Sequence, residues 1–377
     1  MLRSSSGRRE SIYTDEMNRA SRLIWLCVGL ACAIGFAIGC ERDPTAAKAA
    51  SSSKQASGAT PAGPKARVAE FRTETLPIDQ IYHSMQGPFD RVYLDASELD
   101  WVTAARTDVV EQASQKRMGD EFFCHSQLQL PNGTRLLTMA TGADELRFPK
   151  GFAMPVSAIV RGQPEPLRGL TFLGMVLNNH ETEINKQTKV ISTVEYFKDE
   201  DFGTGPRPKK LYMTSLLMEV ADLEKYKPGK DEPPISEDVT THCALVEQPL
   251  GGKLALHWMA PPGLQKTRKR YQSFTPIDGT VHFAWAHLHN FGVYMRLTDV
   301  TEGKVVFQAD VESEPDRDQI ANITHYASEE GFPLYKDHVY EIEALYNNTT
   351  DQDVDAMAMM VLYYNPDGDR GIKYTGR

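Results

Sequence analysis

From Phe122 onward, the sequence consists mainly of short β-like segments separated by turn signals. The first segment, Phe122–Leu130, ends at Pro131-Asn132-Gly133, a strong turn signal. Similar segments follow along the chain: RLLTMAT, GFAMPVSAIV, LTFLGMVL, KVISTVEYF, KLALHWMA, VHFAWAHLHNFG, GVYMRLTDV, GKVVFQADV, HVYEIEALYNN and AMAMMVLYY. Short runs of β-branched and aromatic residues between turns are typical of sandwiches rather than of βαβ units. The pattern therefore predicts an all-β fold of two tandem antiparallel, jelly-roll-like β-sandwich domains.

The chain length and composition are consistent with two domains of this kind. The 377 residues have 41% hydrophobic content, which is enough for one large or two ordinary cores. We predict an N-terminal sandwich at 68–248 and a C-terminal sandwich at 249–377. Within the first, residues 199–240 are rich in Lys, Asp, Glu and Pro, which predicts a surface insertion. Residues 95–112 mix polar and apolar side chains and predict one short helix or a covering loop.

The N-terminus has the features of a secretion signal. Arg19 and Arg22 precede an apolar run of 16 residues, Leu23–Ile38, which is short for a membrane span and typical of a signal peptide. The run leads into Gly39-Cys40, a pattern that resembles the lipobox of bacterial lipoproteins, where the cysteine is lipidated. We therefore predict a signal peptide at 1–39 and a lipid on Cys40, with an uncleaved signal anchor as the alternative.

The predicted location follows from this leader and from the segment after it. Residues 40–67 are mostly Ala, Ser, Lys, Pro and Gly, which predicts a flexible tether. The sequence thus predicts an exported lipoprotein of the bacterial cell envelope, anchored to a membrane and facing the periplasm or the exterior. The net charge of −10 becomes about −12 without the leader's five Arg and three acidic residues. An acidic surface argues against a nucleic-acid partner.

Only two cysteines remain after the lipidation site, Cys124 and Cys243. In an oxidising compartment, a pair of cysteines predicts one long-range disulfide. The alternative is one metal ligand and one spare thiol.

The strongest candidate for a metal site is a histidine pair, His287 and His289. Residues two apart in a strand point to the same face, so the two imidazoles form a simple bidentate site. In the late strand DAMAMMVLYY, Met357 and Met359 likewise share one face. Two imidazoles with a thioether favour copper, and Cu(I) especially. A His-x-His pair is weak by itself, and the alternative is buried core histidines with methionines that fill gaps.

A family resemblance strengthens the copper interpretation. The run FAWAHLHNFG followed by DAMAMMVLYY resembles the copper type II, ascorbate-dependent monooxygenases, which include peptidylglycine α-hydroxylating monooxygenase and dopamine β-monooxygenase. The resemblance covers roughly Glu121–Tyr364 and is most specific after Val281. It places His287, His289 and Met357 at ligand positions of the copper that binds O2. It implies hydroxylation of a C–H bond in a small-molecule or peptide substrate, with ascorbate or another external reductant.

The first half of the chain matches that family less closely. The family's His-His pair falls at Cys124-His125 in one alignment, and Asn178 replaces a third histidine, with His180 two residues further on. This alignment implies a modified electron-transfer copper held by Cys124, His125 and His180. In a second alignment Cys124 pairs with Cys243 in a disulfide, and the protein holds one copper only.

Three functional hypotheses follow from these observations. The first is a copper-dependent monooxygenase with one or two copper ions, in which His287, His289 and Met357 form the catalytic centre. The second is a non-catalytic copper-binding or interaction lipoprotein that kept the fold and one metal site. The third is a sandwich without metal, whose methionines belong to the core.

Overall fold

A computed structural model describes residues 65–82, 84, 86–165, 168–218, 245–247, 253–272, 274–314 and 319–368. The strands of the first half are β1 Arg67–Arg72, β2 Leu76–Ile78, β3 Phe89–Leu94, β4 Trp101–Glu111, β5 Phe123–Gln129, β6 Arg135–Ala140, β7 Glu145–Arg147, β8 Phe152–Ala153, β9 Leu170–Val176, β10 Lys186–Phe197, β11 Lys209–Lys210 and β12 Tyr212–Leu217. The strands of the second half are β13 Leu245–Glu247, β14 Lys253–Ala255, β15 His257–Ala260, β16 Gly263–Gln272, β17 Gly279–Leu288, β18 Gly292–Asp299, β19 Lys304–Ser313, β20 Ile320–Ile323, β21 Tyr326–Leu334, β22 Val339–Asn348 and β23 Val354–Pro366. The described α-helix is α1, Val156–Arg161, and 3-10 turns occur at Asp120–Phe122 and Asp199–Phe202. The predicted all-β fold is confirmed.

Two sheets form the first sandwich. One has the order β1-β10-β4-β7, with β2 also on β10, and the other has the order β3-β9-β5-β6. The hydroxyls of Thr107 on β4 and Ser126 on β5 lie 2.7 Å apart, which places both side chains between the sheets. Gly174 on β9 permits this close approach, because a Cβ there would lie 2.7 Å from the Cβ of Val190 on the facing sheet.

The second sandwich is built in the same way. Its first sheet has the order β12-β23-β17-β21, with β15 also paired to β23, and its second has the order β16-β22-β18-β19-β20. The sheets meet through an aromatic core in which the rings of Trp258 and Tyr346 pack edge to face at 5.6 Å. Burial of such large side chains contributes about 1.5–3 kcal/mol each to stability.

The structure corrects three sequence predictions. Residues 95–112 were predicted to be a helix or a covering loop, but Trp101–Glu111 forms the central strand β4. Its polar residue Thr107 is buried because Ser126 satisfies its hydroxyl, a partner that the local sequence does not reveal. The segment at 151–160 is only partly a strand, because β8 gives way to α1 after Pro155.

The third correction concerns the predicted surface insertion at 199–240. Tyr212–Leu217 within it is strand β12, which pairs with β23 in the sheet of the second sandwich. Residues 219–244 lie outside the described part, and the domain boundaries remain predictions. β1 begins at Arg67, the last residue of the predicted tether, and residues 1–64, including Cys40, are not described. Among the described residues, no helix is long and apolar enough to cross a membrane.

Candidate metal centre

The two sandwiches meet through one face of each. On the second sandwich, Phe283 of β17 lies opposite Tyr363 of β23. Both rings contact Phe148, which follows β7 of the first sandwich, at centroid distances of 5.7 and 4.9 Å. These aromatic contacts identify the face of β23 that carries Tyr363 as the face turned toward the first sandwich.

A β-bulge on β17 decides which residues share that face. Val281 pairs with Tyr364, whereas Phe283 pairs with Tyr363, so β17 has one extra residue at this point. Beyond the bulge, His287 lies opposite Met359. Directly opposed residues in an antiparallel pair share a face, and Met357 is on that face two residues along β23. Without the bulge, the same strand would have put His287 opposite Ala358 and on the other face.

A small cavity lies where the two faces meet. It is lined by Ser84, His125, Gln127, Thr138, Ala140, His287, Met357 and Met359, and we call it the interface cavity. Its volume of about 20 Å³ accommodates about one water-sized ligand. The cavity therefore has the size of a site for an ion or a diatomic molecule.

His287 is a strongly perturbed titratable group of the cavity. Burial lowers its pKa well below the ordinary value, and His289, His125, His257 and Arg135 lower it further. The ring is therefore neutral near pH 7. Its Nδ1 is buried and has no hydrogen-bond partner among the described residues. A neutral imidazole of this kind keeps a lone pair that a metal can use.

Next to the cavity lies a second polar group, His257, His289 and Asp355, which we call the carboxylate cluster. Nδ1 of His289 is 2.8 Å from Oδ2 of Asp355, and Nδ1 of His257 is 3.1 Å from Oδ1. The ring centroids of His257 and His289 are 5.0 Å apart, and those of His287 and His289 are 5.3 Å apart. All three histidines thus belong to one constellation.

The carboxylate fixes the orientation of two imidazoles. When Nδ1–H of each ring donates to Asp355, Nε2 of each ring carries the lone pair. Nε2 of His257 is buried without a hydrogen-bond partner among the described residues, and Nε2 of His289 lies 3.0 Å from Oγ of Ser84, which lines the interface cavity. Carboxylates that hold metal-binding histidines in this way are common around metal sites.

The charge of Asp355 is stabilised by the same contacts. Burial raises the pKa of this carboxyl, but His257 and His289 outweigh that effect, and the resulting pKa lies well below the usual range. Asp355 is therefore ionised in neutral solution. Donor atoms of the carboxylate cluster lie within 4.8 Å of one another, so the three residues are themselves a candidate metal-binding triad.

A buried tyrosine is hydrogen-bonded to the backbone of two predicted ligands. The hydroxyl of Tyr346 on β22 accepts hydrogen bonds from the backbone N–H of His289 at 3.0 Å and of Met357 at 3.2 Å, and it donates to the carbonyl of Met357. Tyr346 is 1% exposed, so these bonds are shielded from water. The hydroxyl therefore holds the ends of the two ligand-bearing segments in fixed relation.

The structure brings some of the predicted site residues together. His287 and Met357 line the same cavity, and His289 lies beside them with its ring held by Asp355. His125 also lines the cavity, and its Nδ1 is 3.2 Å from Sγ of the buried Cys124. The assignment of His287, His289 and Met357 as copper ligands stays a prediction.

The other predicted residues lie elsewhere. His180 is exposed on the loop after β9, and it does not form a cluster of metal-ligand atoms with Cys124 and His125 in the described structure. Asn178 is buried and organises that loop, because its side chain bonds to the backbone of Gln80 and Glu181. Cys243 lies outside the described residues, so its pairing with Cys124 stays a prediction.

Sequence reasoning missed several residues of the site, including His257, Asp355, Met359 and Ser84. A signal for two of them was present, because Asp355, Met357 and Met359 alternate along β23 and must share a face. His257 gave no such signal. It enters the site only because β15 pairs with β23 in a register that puts it opposite Met357.

Comparisons with known proteins give no functional assignment. No protein-family model matches the chain, and no curated protein matches it. Among solved structures, the STIV MCP aligns over 80% of this chain and 97% of its own, with 9% identity and a TM-score of 0.33. PNGase F, a glycosylasparaginase from Flavobacterium meningosepticum, aligns over 80% and 97% of the two chains, with 10% identity and a TM-score of 0.31. Likenesses at these scores carry no argument about function.

Proposed function

We propose that this chain binds copper, as Cu(I), at His287, His289 and Met357. The observation that supports this proposal is the interface cavity, where the neutral imidazole of His287 lies beside two thioethers and its buried Nδ1 has no hydrogen-bond partner among the described residues. Imidazole with thioether is the donor combination that favours Cu(I) over hard divalent cations. A carboxylate that orients a neighbouring histidine adds the support that metal sites require.

The residues around the site have separate tasks in this proposal. His287 offers a nitrogen that burial keeps deprotonated. Asp355 holds His289 in one tautomer, and Tyr346 fixes the backbone of His289 and Met357. A bound copper ion would supply one-electron redox chemistry and affinity for O2, while the surrounding side chains exclude bulk water.

A second candidate function is monooxygenation, in line with the family resemblance. One observation favours it, because His287 and Met357, which the resemblance assigns to the copper that binds O2, line the same cavity. Hydroxylation of a C–H bond consumes O2, two electrons and two protons, and it yields the alcohol and water. The electrons come from ascorbate or another external reductant. The substrate would approach the metal from outside the cavity.

Metal analysis tests the first proposal. The reduced protein without its leader should bind at least one Cu(I) per chain, in competition with a chromophoric Cu(I) chelator under anaerobic conditions. Failure to retain copper against the chelator would contradict it. The second proposal is tested by reductant-dependent O2 consumption of the copper-loaded protein. Copper binding without such consumption would leave the non-catalytic copper-binding function as the conclusion.

We also propose that the chain is an exported lipoprotein, on the basis of its N-terminal sequence. In a bacterial host fed with labelled palmitate, the full chain should incorporate label and fractionate with membranes. Cys40→Ala should lose the label, whereas Cys32→Ala should retain it. Equal labelling of both variants would contradict lipidation at Cys40.

A further inference from the structure

The first sandwich supplies one wall of the interface cavity. His125 on β5 lies opposite Ala140 on β6, and Gln127 lies opposite Thr138. All four residues line the cavity and therefore share the outward face of this sheet. The intervening Ser126 points the other way, to Thr107 between the sheets. The strand register thus aims His125 out of its own sandwich and at the second one.

Among the cavity residues of the first sandwich, His125 is the strongest metal donor. Gln127 and Thr138 offer neutral oxygens, which Cu(I) disfavours, whereas an imidazole suits it. His125 lines the cavity from the first sandwich, and His287 lines it from the second. The two imidazoles therefore face one small space from opposite sides.

The second sandwich contributes a further soft donor, Met359. It lies opposite His287 and lines the cavity together with Met357. Its Sδ is 3.5 Å from Nη1 of Arg135 on β6, so the thioether reaches across the interface. The nearby guanidinium charge disfavours Cu(II) more than Cu(I), because repulsion grows with the charge of the ion.

We propose that His125 and Met359 join His287 and Met357 around a single Cu(I) held between the two sandwiches. They take the place of His289, whose Nε2 lies 3.0 Å from Oγ of Ser84 and whose Nδ1 faces Asp355. This inference rests on the proposed copper-binding function and specifies its ligands. The cavity volume of about 20 Å³ has room for one ion, so the residues on both walls serve one site rather than two. Copper at this position adds a crosslink to two sandwiches that also meet through the packing of Phe148 on Phe283 and the hydrogen bond between Ser84 and His289.

The test compares Cu(I) affinities of the protein without its leader, measured anaerobically by competition with a chromophoric chelator. His125→Ala and Met359→Leu should each lower the affinity by at least about 10-fold, since loss of a ligand costs no less than loss of its outer support. The matched controls are His180→Ala, an exposed histidine of the first sandwich, and Met295→Leu, a fully buried methionine in the core of the second. Both controls should bind as the wild type does.

X-ray absorption of the Cu(I) protein gives a second readout that does not depend on the stability of a variant. The wild type should show two sulfur scatterers, and Met359→Leu should show one. Copper should also raise the melting temperature of the wild type more than that of His125→Ala, because the variant lacks the ligand from the first sandwich.

The possible outcomes distinguish failure of the shared site from failure of the proposed copper-binding function. Wild-type affinity in both His125→Ala and Met359→Leu, together with one sulfur scatterer in the wild type, would overturn the shared site and leave copper binding at His287, His289 and Met357. A wild type that retains no copper would overturn both. Reduced affinity in the two variants but not in the controls supports a site built from both sandwiches.

Discussion

The interface cavity and the carboxylate cluster lie side by side, yet the Nδ1 atoms of their histidines differ in hydrogen bonding. In the cluster, Nδ1 of His257 and of His289 faces Asp355 at 2.8–3.1 Å. In the cavity, Nδ1 of His287 is buried with no partner in the described structure, and the sulfurs of Met357 and Met359 are weak acceptors. A buried polar atom without a partner is costly to the fold. Each group contains such a nitrogen in the described structure, Nε2 of His257 in the cluster and Nδ1 of His287 in the cavity, but only the cavity combines it with two thioethers and open volume. We therefore expect the ligand in the cavity, with Asp355 holding the neighbouring rings in place.

The largest expected effect comes from removing cavity donors. His287→Ala combined with Met357→Leu should abolish tight Cu(I) binding, because one imidazole and one thioether are lost together. Leucine conserves volume at Met357 and should cost less than about 1.5 kcal/mol of stability. Chelator competition measures the affinity, and His180→Ala with Met295→Leu is the matched control. Retained tight binding in the cavity variant would assign the metal to the carboxylate cluster instead.

A smaller loss is expected when the carboxylate is neutralised. Asp355→Asn keeps the shape of the side chain but no longer accepts two N–H donors as a charged group. If Asp355 orients His289 rather than binding the metal, Cu(I) affinity should fall by about 10- to 100-fold and remain measurable. The same competition assay applies. If Asp355→Asn abolished Cu(I) binding while His287→Ala with Met357→Leu kept it tight, the carboxylate cluster would be the metal site and the cavity would not.

Removal of one buried hydroxyl should affect both groups. Tyr346→Phe leaves the N–H groups of His289 and Met357 without their acceptor, which should cost about 1–3 kcal/mol in the free energy of unfolding. It should also weaken Cu(I) binding. Tyr340→Phe is the control, because that buried hydroxyl accepts the N–H of Tyr335 away from the site. Urea unfolding should show comparable losses, while only Tyr346→Phe lowers the affinity. Equal Cu(I) affinities of the wild type and Tyr346→Phe would show that Tyr346 contributes to stability and not to metal binding.

The smallest effect is a pH dependence of the metal-free protein. The pKa of His287 is lowered by burial, so below about pH 6.5 the unfolded chain binds a proton that the folded chain does not. The stability that neutral His287 allows is present above this pH and is lost as the pH falls toward the folded pKa, at about 1.4 kcal/mol per pH unit. Urea unfolding from about pH 6.5 to 4.5 should show a flatter dependence for His287→Phe. His180→Asn should keep the wild-type slope, and parallel slopes for all three proteins would contradict the prediction.

The predictability of the fold differs between its strands. β5, β17 and β23 were recognisable because alternation or apolar runs between turn signals are local features. β4 was not recognisable, because a polar residue such as Thr107 does not indicate a buried strand. Its hydroxyl is buried because Ser126, on another strand, supplies a hydrogen-bond partner. β12 was missed because it lies beside charged and proline-rich sequence, and its place on β23 is a long-range pairing.

The residues of the candidate site likewise differ in how far local sequence predicts them. His287, His289 and Met357 could be singled out from two-residue spacing and donor chemistry, and Asp355 and Met359 lie on the same alternating face of β23. His125 was expected to serve a separate copper with Cys124 and His180, but His180 is exposed and His125 lines the interface cavity. His257 offered no local pattern, and its role depends on the pairing of β15 with β23.

By itself, the sequence determined the all-β class and the types of donor atom, because strand periodicity and side-chain chemistry are local properties. Tertiary structure alone decided which donors meet. The bulge between Val281 and Phe283 turns His287 to the face of Met357, and the packing of Phe148 on Phe283 brings His125 to the same cavity. Register and packing join residues far apart in the chain, and their energies depend on contacts that no short stretch of sequence contains.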